Sequence, residues 1–175
     1  MGMKIELVQE IEGSILDIGG GGEGILGRLY GSQVTAIDNC QEELDEAPGG
    51  YEKMLMDGTA LTFEDNRFCN VTFFYTLMYM QREEQRQALR EAARVLRPGG
   101  RLYIWDAEIL SAYPEPFCAE LDISIPGEQI HTTYGVVKMD TQDRASIEEM
   151  CVAAGLLAVD TRAQAGHFYL HFRKK

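Results

Sequence analysis

The residues with the clearest chemical meaning in this chain stand at 15–24, ILDIGGGGEG, where a carboxylate stands two residues before a run of glycines. Gly19, Gly21 and Gly24 have the spacing G-x-G-x-x-G, and glycines so placed let backbone N–H groups approach a ligand at the start of a helix. Asp38 follows Gly19 by 19 residues, at the end of the run VTAID. A carboxylate at that place can accept hydrogen bonds from both hydroxyls of a ribose. Glycines and acid together point to a nucleoside without saying which.

Two further carboxylates divide the possibilities. Asp17 stands two residues before the first glycine, where a dinucleotide site would keep an apolar strand residue and accommodate a pyrophosphate. An anion there suits an ammonium or sulfonium ligand better, which favours S-adenosylmethionine (SAM). Asp57 opens DGTALTF, residues 57–63, and can accept the exocyclic amine of adenine, with Gly58 and Thr59 flanking the ring. A nicotinamide cofactor explains the glycine spacing equally well but leaves Asp17 and DGTALTF without a role.

The elements that must position these groups follow from hydrophobic patterning. Short apolar runs rich in β-branched residues alternate with helix-period segments, as expected of βαβ units in an α/β fold with a doubly wound, mainly parallel sheet and helices on both faces. Strands are expected at 14–18, 33–37, 53–56, 71–75 and 101–105, with a short helix at 24–30. A longer helix is expected at 82–96, where Leu89, Ala92, Ala93 and Leu96 recur at i, i+3, i+4 and i+7 before Arg97, Pro98, Gly99 and Gly100 stop it. Residues 121–125 and 129–137 form an inserted β-hairpin around Pro126 and Gly127, and 143–154 a last helix. The closing strands, 156–162 and 167–173, are joined so shortly that they must be antiparallel.

This order brings Tyr75, Thr76, Tyr79, Asp106 and Glu108 to the carboxyl ends of the fourth and fifth strands. Tyr75, Tyr79 and Asp106 are candidates for catalysis, together with His131 of the hairpin, which with Tyr134 would reach over the cleft as a lid. Their spacing names no reaction.

Taken in order, ILDIGGGGEG, VTAID at 34–38, DGTALTF, FCNVTFFYTLMYM at 68–80, VLRPGGRLYI at 95–104 and the closing antiparallel pair resemble the class I SAM-dependent methyltransferases, from residue 14 to the C-terminus. The resemblance implies a seven-stranded sheet with its C-terminal strand antiparallel and SAM lying over the carboxyl ends of the first strands. It further implies that Asp17, Gly19, Gly20 and Gly21 hold the amino-acid part of SAM, Asp38 with the adjoining Asn39 the ribose, and Asp57, Gly58 and Thr59 the adenine. Tyr75 and Thr76 would line the floor near the methyl. The chain departs from the family at four places. Glu23 replaces the third glycine of the commoner acid-x-G-x-G-x-G loop, where it is expected to cap the first helical turn. Cys69 replaces an acid. The segment before the first strand is too short for the usual substrate-covering helix, so the site is either open or covered by a partner subunit in a homodimer. The helix after Asp38 is cut short by Pro48, Gly49 and Gly50.

Composition sets the remaining bounds. At 175 residues and a formal net charge of -12, the average surface repels phosphate backbones and anionic lipid, so neither nucleic acid nor a membrane is an expected partner. With no apolar run of spanning length and no leader pattern, the expectation is a cytoplasmic protein. The four cysteines are scattered, and no metal site is indicated. The expectation is one domain over residues 1–175, with an insertion at about 107–140 forming an acceptor-side lid, that transfers methyl from SAM to a small-molecule acceptor. The alternatives are a SAM-binding protein without turnover and an NAD-dependent oxidoreductase.

Overall fold

The computed structural model describes residues 2–7, 10–110 and 113–175, so residues 111 and 112 of the expected insertion lie outside the described residues. The inner strand β2, Ile15–Ile18, is buried along its whole length, as expected of a strand covered on both faces. It pairs in parallel with β3, Val34–Asp38, on one side and with β5, Phe68–Phe74, on the other. β4, Glu52–Leu55, extends the sheet beyond β3, and β6, Leu96–Ala107, extends it beyond β5. β10, His167–Lys174, lies between β6 and β9, Leu156–Gln164, and runs antiparallel to both. The seven-stranded order is therefore β4-β3-β2-β5-β6-β10-β9. The chain leaves β2 first toward β3 and later returns to its other side at β5, a switch point outside which a crevice opens at the carboxyl ends of the strands.

The helices are α1, Ile25–Tyr30, α2, Gln41–Glu46, α3, Arg82–Val95, and α4, Arg144–Ala153. Gln81 and Glu84 close a reciprocal capping box at the start of α3, satisfying two N–H groups that the first turn leaves free. The apolar stripe of α3 and residues Ile147, Met150 and Cys151 of α4 pack on one face of the sheet with Leu16, Phe73 and Phe172. α1 buries Ile25 and Leu26 on the other face with Ile15, Val34 and Trp105. No turn separates α3 from β6: the strand begins at Leu96 and carries the Arg97–Gly100 stretch with a register shift against β5.

The insertion contains β7, Phe117–Ile125, and β8, Glu128–Val136, an antiparallel hairpin. A third strand was not expected. β1, Met3–Glu6, pairs in parallel with β7, giving a separate sheet of order β1-β7-β8. Its residues alternate between half-buried Met3 and Ile5 and exposed Lys4 and Glu6, the period of two that a one-sided strand requires. Ala119, Leu121, Ile123 and Ile130 of this sheet share a core with Tyr75 and Trp105 of the large one. The cover expected to be missing, or borrowed from a partner subunit, is thus supplied in part by this chain. Among the described residues no helix is long and apolar enough to cross a membrane.

Candidate functional site

Asp17 sits inside β2 and is only 2% exposed. Its Oδ1 accepts the Thr72 hydroxyl at 2.7 Å, and a β-carbon on Gly20 would come within 2.5 Å of its Oδ2. The glycine loop therefore rests directly on the carboxylate. Burial raises the Asp17 pKa to about 7, nearby Asp38 adds to the rise, and the Thr72 bond opposes it.

The N–H groups of the loop are used within the fold. Gly19 and Gly20 donate to the Ile37 carbonyl at 2.8 and 3.0 Å, Gly22 to that of Glu43 at 2.7 Å, and Gly24 to that of Gly21 at 3.2 Å. Gly21 donates to Asp38 Oδ2 at 3.2 Å. This corrects the expectation that they stand open to a ligand, and a pyrophosphate would find them already engaged. Glu23 fits where a glycine is commoner because Gly22 and Gly24 on either side take the left-handed φ values, 61° and 57°. It does not cap the helix. Gly24 is the N-cap residue, with no side-chain bond, while the Glu23 carbonyl accepts Arg28 Nε at 2.6 Å and its carboxylate lies 3.7 Å from the same guanidinium.

Asp38 ties this loop to the next element, since its Oδ1 accepts the Cys40 N–H at 3.0 Å. Asp57 accepts both the N–H and the hydroxyl of Thr59 at 2.8 Å. Thr76 donates to the Ile18 carbonyl at 3.0 Å, and its side chain fills the space that a β-carbon on Gly19 would need. These groups surround a cleft of about 830 Å³ at the carboxyl ends of the central strands; Gly19, Gly21, Asp38, Asn39, Asp57, Gly58, Thr59, Tyr75 and Thr76 all lie on its wall. Asp17 and Gly20 lie beneath that wall. Glu23, Glu43, Glu46 and Glu84 also line the cleft, while Arg28 is the one cation among its described lining residues and is held by Glu128 at 2.7 Å. Such a set of acceptors fits a cationic ligand with hydroxyl and amine groups to donate.

The catalytic candidates separate. Tyr75 and Tyr79 line the cleft, with Tyr79 half exposed. Burial raises both hydroxyls above the ordinary tyrosine range, most strongly that of Tyr75. Asp106 is 0% exposed and faces away from the cleft. It accepts bonds from Ala107 N and Gln142 Nε2 at 2.8 Å and from Met78 N at 3.3 Å, and burial lifts its pKa to about 6. Its place is that of an anchor beneath the 3-10 turn Leu77–Tyr79. His131 is also turned away. Strand alternation points Ile130 inward and His131 outward, where its Nδ1 lies 2.7 Å from Asp122. Tyr134, on the inward face, stacks on Tyr75 with ring centroids 5.6 Å apart. Glu108 is not on the cleft wall; its N–H donates to the Gly166 carbonyl at 2.7 Å.

Two residues near the site had not been singled out from sequence. Glu43 reaches the loop through the first turn of α2, so that a β-carbon on Gly22 would lie 2.8 Å from its Oε2. His167 comes within 2.8 Å of the Tyr75 hydroxyl. No local signal marks it, because only the pairing of β10 with β6 brings it there. Among the described residues no group of three or more metal-ligating side chains is found.

Residues 16–104 match the family model described as a methyltransferase domain. The chain is 32% identical over 114 residues to O-methyltransferase resE of Aspergillus sclerotiorum, an alignment covering 58% of this chain and 42% of that protein. It is 34% identical over 103 residues to the ubiquinone/menaquinone biosynthesis C-methyltransferase UbiE of Desulfotalea psychrophila, covering 54% of this chain and 41% of that one. The chain thus spans about two fifths of the length of these curated relatives. An S-adenosylmethionine dependent methyltransferase from Mesorhizobium loti superposes with a TM-score of 0.67 at 14% identity, covering 95% of this chain and 94% of that one. At that identity the likeness speaks for the fold.

Proposed function

The chain belongs to the methyltransferase-domain family, and from that membership we propose that it binds SAM in the cleft and transfers its methyl group to a small-molecule acceptor in the cytoplasm. The observation that carries this reading is the placement of Asp17, Asp38 and Asp57 in or just after three neighbouring parallel strands, around one cleft rich in carboxylates. When bound, SAM supplies an electrophilic methyl group on a positively charged sulfur. Gly19 and Gly21 face its amino-acid part from the cleft wall, with Gly20 packed on Asp17 beneath and Asp17 acting by its charge from below the loop. Asp38 and Asn39 meet the ribose, Asp57, Gly58 and Thr59 the adenine, and Tyr75 and Thr76 the floor near the methyl.

For in-line transfer the chain has chiefly to align the nucleophile and keep water out. Residues 107–140 serve as the lid on the acceptor side of a single domain, a role supported by the stacking of Tyr134 on Tyr75. The test is release of S-adenosylhomocysteine, with methyl-labelled SAM, against a panel of small metabolites. Labelled product is expected with at least one acceptor. SAM binding without any transfer would leave a binding protein and contradict the enzymatic part of the reading.

A further inference from the structure

The hydroxyl of Tyr75 and Nδ1 of His167 lie 2.8 Å apart, part-buried, behind the wall of the cleft that Tyr75 helps to line. Binding the cofactor gives this histidine no part. Nor does the sheet need its side chain, because β10 is held there by backbone pairing to Ala107 and Gln164. Yet the backbone is strained to place its partner: Tyr75 takes a φ of 51°, costly for any residue but glycine and concentrated at functional positions. Its N–H is fixed on the Trp105 carbonyl at 2.7 Å. Tyr75, though only 2% exposed, is among the residues of the cleft wall, and its ring stacks on Tyr134 of the hairpin. Three separate elements, β5, β8 and β10, converge on one polar contact.

From this geometry we infer that Tyr75 and His167 form a proton relay, and that the acceptor is a molecule that must lose a proton on methylation, specifically a phenolic or enolic hydroxyl. The inference rests on the methyl-transfer reading above. In the resting pair the Tyr75 hydroxyl donates to Nδ1 of a neutral imidazole, leaving its own oxygen free to accept a hydrogen bond from the acceptor. As the acceptor oxygen forms its bond to the methyl carbon, the electron pair of the broken C–S bond stays on sulfur. The acceptor's proton passes to Tyr75 and the tyrosine's own proton to Nδ1 of His167; the imidazolium then gives one proton to water and returns to the tautomer with Nδ1 bare. Tyr75 is the catalytic residue here, and His167 acts through it as a positioning residue and proton sink.

The protonation states suit the task. Burial keeps the tyrosine in its neutral form and holds the His167 pKa below its ordinary value, so the ring is uncharged near neutral pH. Asp106 from β6 and Tyr134 from β8 are the titratable neighbours acting on Tyr75, and both oppose its ionisation.

The experiment uses the full chain, His167→Gln, Tyr75→Phe and the control His131→Gln. With only three histidines to assign, nitrogen-15 NMR reads the His167 tautomer directly. A bare Nδ1 that changes in Tyr75→Phe is expected, and a hydrogen on Nδ1 overturns the relay. The acceptor probes are phenol, whose hydroxyl ionises near that of tyrosine, at about 10, the more acidic 4-nitrophenol, and benzylamine. His167→Gln keeps an acceptor for the tyrosine but cannot take its proton. It is expected to lower kcat on phenol about a hundredfold, the scale of general base catalysis, with KM and SAM affinity unchanged. The loss should be smaller on 4-nitrophenol, and the acidic limb of the pH profile should disappear. A wild-type rate and profile in His167→Gln overturns the relay, as does failure to methylate either phenol by protein that binds SAM. Failure of the wild type to bind SAM instead contradicts the reading beneath it, and the NMR result still reports on the pair.

Discussion

At Asp17 the chain keeps a carboxylate in a strand interior with the Thr72 hydroxyl as its partner and a glycine loop for a roof. A carboxyl whose pKa rises from 3.8 to about 7 on folding binds more protons in the native than in the unfolded chain across that window. Its contribution to stability is therefore full below about 4 and is lost as pH rises through 7. Asp106, lifted to about 6, acts in the same sense over a narrower range. The cofactor-free protein should be more resistant to urea at pH 5 than at pH 8, and Asp17→Asn should narrow that difference. A cation over the loop favours the ionised form, so SAM affinity should increase between pH 6 and 8 in the wild type and not in Asp17→Asn. Asp57→Ala should weaken SAM binding by roughly 1.5 to 3 kcal/mol, the worth of a hydrogen bond to a charged group; an unchanged dissociation constant would place the adenine elsewhere. Asp38, Asp57 and the glycines were legible as residues because their spacing is local to single βα units. That His131 and Asp106 are not on the cleft wall could not be read for a physical reason: a side chain's face and depth are set by neighbouring strands, which the spacing of one strand does not encode.

Among the elements, α3 and the closing antiparallel pair could be read from periodicity and loop length, because both properties act over a few adjacent residues. β1 could not. Four residues are too few to show a period, and the partner that makes them a strand lies more than a hundred positions away, Met3 opposite Leu121. A separation of 92 positions hid His167 from Tyr75 in the same way. If β1 holds the insertion in place, deleting residues 2–6 should expose the free edge of β7. Hydrogen exchange should then quicken across 117–136 while β2, β5 and β6 stay protected. Equal loss of protection throughout would show that the small sheet is instead integral to the whole core. Tyr134→Ala should leave SAM affinity intact and lower methyl transfer, since it removes the ring stacked at the acceptor side; weaker SAM binding would move Tyr134 into the cofactor site.

For the molecule as a whole, net charge and cleft chemistry agree. A chain of formal charge -12 gathers acids around a cleft whose described lining residues include one cation, itself paired, so a positively charged ligand should be drawn in and salt should weaken its binding. The resemblance of five ordered motifs implied a seven-stranded sheet but not the order of its strands, because that order depends on which side of β2 each later strand returns to. Calorimetric titration of SAM into the wild-type chain and into Asp38→Ala tests the central claim most directly. One molecule bound per chain at micromolar affinity, at least about tenfold weaker in the variant, is the predicted result, on the scale of one lost charge-assisted hydrogen bond. No binding by the wild type, or equal binding by the two, would contradict it.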